Sequence, residues 1–320
     1  MYTEDTAQKV LIDPFYTGGN RLCIISAHAT PGMASWLLTN YDERSIPQIS
    51  VELIVGMTAD EGIPLAFHEG FKLLHGNNYA GRDYHFSCSY ISRQPSIHDN
   101  LYIWMNGEEP LCAFSGSLEF TQASFLQHQE QIYECSAVDA FQIYNRAVDR
   151  SVYCNYAEIE EEVRIFGSYQ ASNTERTADG RTNQVSLSWL TRKGNETGTR
   201  SGPNWGHRGR RNRNEAYIPL PSAVAKSGFF PLNKQHFIAL TDDHRALLLR
   251  VEQMNDKAIT TPASNAQLGE YLRNRMGLPN GAYIHKADFE TYGRTDVTFY
   301  KIDDEQYYMD FSVVTPTQIS

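Results

Sequence analysis

Between Tyr169 and Val185 the chain runs QASNTERTADGRTNQ, a polar stretch of linker composition that no hydrophobic core can absorb. It constrains the fold more than any other segment, because it forces the residues on either side to bury their apolar surface separately. At 320 residues the chain has the length of two domains of about 100 to 200 residues each. The sequence therefore reads as one domain over 1–178 and a second over 179–320.

The two parts differ in charge. The overall net charge of -10 combines 10 basic and 24 acidic residues over 1–180 with 18 basic and 14 acidic residues over 181–320, so an acidic half precedes one of +4. Such asymmetry is the form a nucleic-acid-binding appendage takes on an otherwise acidic protein. The opening MYTEDTAQKV lacks the basic start and apolar run of a secretory signal, and no stretch approaches a membrane span. A soluble cytoplasmic protein is expected. Cys23, Cys88, Cys112, Cys135 and Cys154 have no paired spacing and read as reduced thiols; neither CxxC nor HExxH is present to suggest a metal, and no cofactor is implied.

In the first half, Cys23–Ala27 and Ile49–Met57 are strand-like runs flanking a helix-like segment at Gly32–Asn40, which suggests a βαβ unit on a parallel sheet. A helix over Pro64–Leu74 and a strand over Tyr84–Ile91 follow. Leu101–Met105 and Leu111–Phe114 form a hairpin about Asn106-Gly107, and a loop begins at Ser115. A polar helix through Gln127–Gln131 and an amphipathic helix over Val138–Val152 complete an α/β domain; Glu158–Glu162 reads as a solvated helix face. After the linker the pattern turns to β, with strands at Val185–Thr191, Ala216–Leu220, His236–Leu240, Ala246–Gln253 and Val297–Ile302, and a helix at Leu268–Met276. This half reads as a β-barrel-like domain with a minor helix.

The chemistry of the second half concentrates between Trp189 and Tyr217. Arg192, Lys193, Arg200, Arg208, Arg210, Arg211 and Arg213 are offset only by Glu196 until Glu215. Arginine presents a donor fork that fits guanine edges and phosphates, glycines permit close backbone approach, and Asn204 and Asn214 are candidates for reading adenine. A loop this long in a compact domain tends to be functional, and this one suits a major groove. A second candidate arm is the hairpin Met254–Lys257, flanked by Arg250 and Gln253. The cluster Tyr292–Asp296 fits either a DNA contact or a structural role.

From Val185 to Phe311 the strings VSLSWLTRKG, SGPNWGHR, YIPLPS, AKSGFFP, LGEYLRNRMGL and YGRTDVTFYKIDDEQYYMDF resemble the C-terminal half of restriction endonucleases of the NgoFVII family. The resemblance implies a mainly β, B3-like pseudobarrel with a short helix that grips duplex DNA with two arms. The basic loop, with Trp205, would form one arm, and Arg250, Gln253, Asn255 and Lys257 the other. It also implies a phospholipase-D-like nuclease and dimerisation domain before it, whose signature is HxK, then GSxN beyond a hairpin, then a glutamate. Here His98-Asp99-Asn100, Gly116-Ser117-Leu118-Glu119 and Glu130 stand at those places.

The chemistry so implied needs no metal: His98 attacks phosphorus to form a phosphohistidine, Ser117 donates to the phosphoryl oxygens, and Glu130 orients an imidazole. One motif per chain implies a homodimer with a shared site. Two residues depart from the pattern: Asn100 replaces a cation and Glu119 a neutral donor, with Lys72, Arg82 and Arg93 as candidate replacements for the lost charge. Losing one preorganised donor costs about 100- to 1000-fold in rate. The sequence thus leaves two functions open: a type II-like restriction endonuclease, and a sequence-specific DNA-binding dimer whose nuclease fold is a scaffold or acts with a separate ATP-driven translocase. A lipid-hydrolysing phospholipase D does not fit the basic arm.

Overall fold

A computed structural model describes residues 1–77, 84–127, 130–169, 183–252 and 254–313. The chain divides into two compact units, Met1–Gly167 and Ser168–Ser320. Most of the polar stretch, including 170–182, lies outside the described residues. Among those described, no helix is long and apolar enough to cross a membrane.

The first unit contains β1 (Arg21–Ser26), β2 (Ser50–Val55), β3 (Ile63–Pro64), β4 (Gly76–Asn77), β5 (His85–Ile91), β6 (Asn100–Asn106), β7 (Glu109–Gly116), β8 (Ile132–Cys135), β9 (Ser151–Tyr153) and β10 (Ile165–Phe166). Its large sheet has the order β4-β5-β2-β1-β6-β7-β8, with β9 paired to β5. β1, β2 and β5 run parallel, as the two apolar runs with a helix between them required. Every residue of β1 after Arg21 is buried, the pattern of a strand covered on both faces.

The helix Pro31–Glu43 covers part of that sheet; Thr30 caps it by accepting from Met33 N, and Pro31 occupies its first turn. The helix Ala137–Val148 seats Ala140, Tyr144 and Ala147 against Cys23, Ile25, Ile54 and Ile103. The Asn106-Gly107 signal marks the β6–β7 turn, where Gly107 takes φ +61°. Two expectations need correction. The helical turn expected at 127–131 lies earlier, as a π-turn over Ala123–Gln127, and Ile132–Cys135 is a strand held between β7 and a bridge to Tyr2. The helix expected to run to Val152 stops at Val148, because the chain turns to pair Ser151–Tyr153 with β5.

The second unit contains β11 (Gln184–Ser188), β12 (Ile218–Pro219), β13 (His236–Thr241), β14 (Ala246–Glu252), β15 (Ala258–Thr260), β16 (Asp296–Lys301) and β17 (Gln306–Asp310). They form one sheet in the order β11-β16-β17-β13-β14-β15-β12 that curls into a nearly closed barrel, the B3-like pseudobarrel. Its core is aromatic: Trp189 stacks on Phe289, and Phe230, Phe237, Phe299 and Tyr307 pack ring against ring. β17 and the helix Lys286–Tyr292 are additions to the elements expected from sequence. The strand expected over Ala216–Leu220 shrinks to Ile218–Pro219, since Ala216 and Tyr217 spend their amides on Asn265 O and Gly202 O.

The Tyr292–Asp296 cluster is structural. Arg294 pairs with Asp296 at 3.2 Å and with Asp310 at 2.8 Å, and Tyr292 donates to Phe311 O. Beside it Arg275 grips Asp242 through both nitrogens at 2.9 and 2.6 Å, donates to the hydroxyls of Tyr271 and Tyr292, and reaches Phe311 O. Asp242 in turn accepts from Phe311 N. Breaking a largely buried pair leaves one charge poorly compensated, so Arg275→Ala is expected to lower the unfolding free energy of the second unit by about 2–4 kcal/mol, read by denaturant titration.

Candidate nuclease centre and nucleic-acid interface

Asn100 and Ser117 lie where β6 begins, beside the ends of β1 and β7. Asn100 opens β6 opposite Gly116 of β7 and is 6% exposed. Its Oδ1 accepts from Ser26 Oγ and from Ala27 N, each at 3.0 Å, and its Nδ2 donates to Gly116 O at 3.3 Å and Ser117 O at 3.4 Å. Both donors of the amide are directed at backbone carbonyls, and its oxygen takes the Ala27 amide and shares the one Ser26 hydroxyl proton with His28 O. Asn100, the residue that stands in place of the motif's cation, therefore ties the end of β1 to the end of β7 through both of its amide donors and its oxygen.

Ser117 follows at the exposed edge. Its amide donates to Gln131 O at 3.0 Å, and its hydroxyl accepts from Gln131 N at 3.3 Å. Gly116 has to be glycine, since a Cβ there would lie 2.2 Å from Gln131 O. Glu130, next in the chain, accepts from Ser124 Oγ of the π-turn at 2.9 Å. His98 stands two residues before Asn100, exposed, beyond Ile97, whose amide donates to Gly56 O at 3.0 Å.

Glu119 does not stand alone. His28, just past β1, directs Nδ1 to Glu119 at 2.8 Å and Nε2 to Glu61 at 2.9 Å. The hydrogen bond to Glu119, reinforced by Glu61 and opposed by partial burial, raises the imidazole to about 9. The ring is therefore charged at neutral pH, and it bridges segments that follow β1, β2 and β7. Sequence reasoning missed His28 and Glu61 because they lie 91 and 58 residues before Glu119, and only the strand order brings them together. Of the cations considered as substitutes, Lys72 pairs with Glu69 at 3.0 Å, Arg93 is exposed, and Arg82 lies outside the described residues.

The basic loop is an excursion of the second unit built on a 3-10 turn, Gly202–His207. Arg192, Lys193, Arg200, Arg208, Arg210, Arg211 and Arg213 are all exposed. Arg211 lies over the Trp205 ring at 4.5 Å and pairs with Glu215 at 2.5 Å, while Glu215 O closes the loop by accepting from Gly206 N. Arg213 Nη1 faces His207 Nδ1 at 3.2 Å; burial first, then Arg213, holds that imidazole below its ordinary value.

The two asparagines are not base readers. Asn204 is 0% exposed: its Nδ2 donates to Ile284 O at 2.7 Å and Gly198 O at 3.2 Å, and its Oδ1 accepts from Ile284 N at 2.8 Å. Asn214, also buried, accepts from Gly281 N and donates to Glu270. Both belong to the footing of the loop. In the second arm, Asn255 and Lys257 are exposed on the β14–β15 turn, and Gln253 lies outside the described residues. Arg250 is 7% exposed and held by Glu252 at 2.7 Å, so it supports the hairpin from within β14 instead of projecting from it.

Residues 4–161 match the family model for the NgoFVII restriction endonuclease N-terminal PLD domain, and residues 178–303 match that for the NgoFVII C-terminal B3-like DNA-binding domain. Among solved structures, NucT from Helicobacter pylori is similar over 48% of this chain and 96% of its own length, at 10% identity and a TM-score of 0.28. A polyphosphate kinase from Porphyromonas gingivalis is similar over 49% of this chain and 24% of its own, at 11% identity and a TM-score of 0.27. No curated protein matches the chain.

The His28 bridge carries a pH signature. A histidine whose folded value exceeds its unfolded 6.5 contributes stability that is complete below 6.5 and lost as pH rises through about 9. Thermal unfolding of the wild type is expected to fall across that window more steeply than that of His28→Gln; parallel profiles would show that the bridge does not hold in solution.

Proposed function

Because the chain belongs to the NgoFVII restriction endonuclease family, we propose that it recognises a short duplex DNA sequence with its C-terminal half and hydrolyses a phosphodiester with its N-terminal half, without a metal ion. What supports this is one fusion: a phospholipase-D-like nuclease half on the same chain as a B3-like half whose basic loop exposes seven cations. The exposed arginines on the Trp205 loop contact phosphates and base edges, and Asn255 and Lys257 form the opposing arm.

In the cleavage step, an imidazole nitrogen of His98 attacks phosphorus, the bond to the leaving oxygen breaks, and the leaving oxygen takes a proton from the equivalent histidine of a second copy. Water then attacks the phosphohistidine and gives a proton to the now neutral second histidine while the P–N bond breaks, which releases the phosphate end and restores both rings. Ser117 supplies a hydroxyl to the phosphoryl oxygens, and the working unit is a homodimer, since each chain carries a single motif.

A second reading is favoured by a specific observation. The position that should carry a cation is the saturated amide of Asn100, and the neighbouring Glu119 and Glu61 carboxylates outnumber the single charge of His28. That balance disfavours an incoming phosphate. On this reading the nuclease fold is a dimerisation scaffold, or it cuts only beside a separate ATP-driven translocase.

Supercoiled plasmid of diverse sequence, incubated with the protein in EDTA, separates the two. Discrete fragments that disappear with His98→Ala are expected of the endonuclease; intact plasmid together with selective duplex binding would leave the scaffold. Binding is expected to weaken with salt at a slope of about -0.9 per neutralised phosphate. Substituting Arg208 should relax selectivity at one base position if it reads a base, or weaken every sequence alike if it holds a phosphate.

A further inference from the structure

We propose that Arg273, a residue with no exposed surface, positions the basic loop for DNA by holding both ends of its arginine-rich stretch 203–213 on one guanidinium. This rests on the loop being the DNA contact proposed above, and it identifies what fixes that contact in place.

Arg273 lies near the end of the helix Asn265–Arg275 and is 0% exposed. Its Nε donates to Ala282 O at 2.8 Å. Nη1 donates to Gly269 O at 3.0 Å and Asn214 O at 3.4 Å; Nη2 donates to Arg213 O at 3.1 Å and Pro203 O at 3.4 Å. A guanidinium has five N–H donors, and these contacts use all five. Every acceptor is a backbone carbonyl, and among the described residues the side chain makes no ion pair. Burial lowers the group to about 10, with Glu270 opposing.

Pro203 precedes the exposed stretch 208–213 and Arg213 ends it, so a single nitrogen joins the two ends of that stretch, the last part of the loop before β12. The helix presses against that point: a Cβ at Gly269 would lie 1.7 Å from Asn214 O and 2.8 Å from Arg273 Nη1. Asn204 and Asn214 fasten the same two ends to Ile284 and Gly281. A loop closed in advance does not spend binding energy on closure when it meets DNA, so the pin acts on affinity through preorganisation. Lysine keeps the charge but offers a point of three donors with no planar fork, and it cannot reproduce this set.

The test uses the full chain, with wild type and Arg273→Lys compared on a duplex selected by the wild type from a random pool and on random duplex. Trypsin cleavage at Arg208–Arg213 is followed without DNA, and folding is followed by thermal unfolding. Arg273→Lys is expected to unfold in one transition, to be cut faster in the loop, and to lose about ten-fold in the ratio of selected to random affinity. Its salt slope should stay unchanged, because the exposed arginines remain. A folded variant with an unaltered ratio overturns the proposal, as does a loss of selected and random binding in equal proportion. If the variant does not fold, hydrogen exchange on the wild type decides: the Gly206 and Glu215 amides should be protected like those of the helix Asn265–Arg275, and rapid exchange there overturns the pin. A wild type that selects no duplex would instead remove the DNA role of the loop, while the trypsin and exchange results still judge the pin.

Discussion

Asn100 and Arg273 play the same part in the two halves of the chain, each meeting the demand that buried backbone polar groups find partners. Where β1 ends, the amide of Ala27 would be left without its partner if Asn100 were lost, and the carbonyls of Gly116 and Ser117 would lose a donor. Within the basic loop, the carbonyls at the two ends of the stretch 203–213 converge on Arg273. Both candidate functional regions are irregular chain attached to a sheet, and both depend on one interior side chain for their shape.

This changes the meaning of the departure at position 100. The asparagine is built into the joint between three strand ends, so a lysine placed there would remove four hydrogen bonds to gain one charge. Glu119 is likewise not simply a repulsive residue, because its carboxylate is matched to an imidazolium that also holds Glu61. Together Asn100 and the bridge of His28 with Glu61 and Glu119 hold strand ends together, and His98 and Ser117 are exposed.

The parallel strands, the β6–β7 hairpin and most barrel strands were legible because local pattern determines them: apolar runs, a Gly at a tight turn, alternation between turns. Ile132–Cys135 was not, since three of its four residues are exposed at a sheet edge and carry no burial pattern. Gln306–Asp310 was not read as a strand because its aromatic run follows closely on acidic turn residues. In the site, His98, Asn100, Ser117 and Glu119 were found through short motifs, whereas His28 and Glu61 have no local signature and meet only through topology. Asn204 misled for the opposite reason: a polar residue in a basic loop reads as exposed, but a 3-10 turn buries it against Ile284.

Arg273 grips carbonyl oxygens, which every amino acid possesses, and takes no notice of the side chains between the two ends it joins. The pin itself therefore makes no demand on the side chains between its two ends, where Arg211 on Trp205 and Asn212 under the Asn214 amide supply the local contacts. On the DNA-reading role proposed for this loop, an architecture of this kind separates inheritance of the scaffold from inheritance of the target, because the core that seats the pin is not the segment that would set the preference.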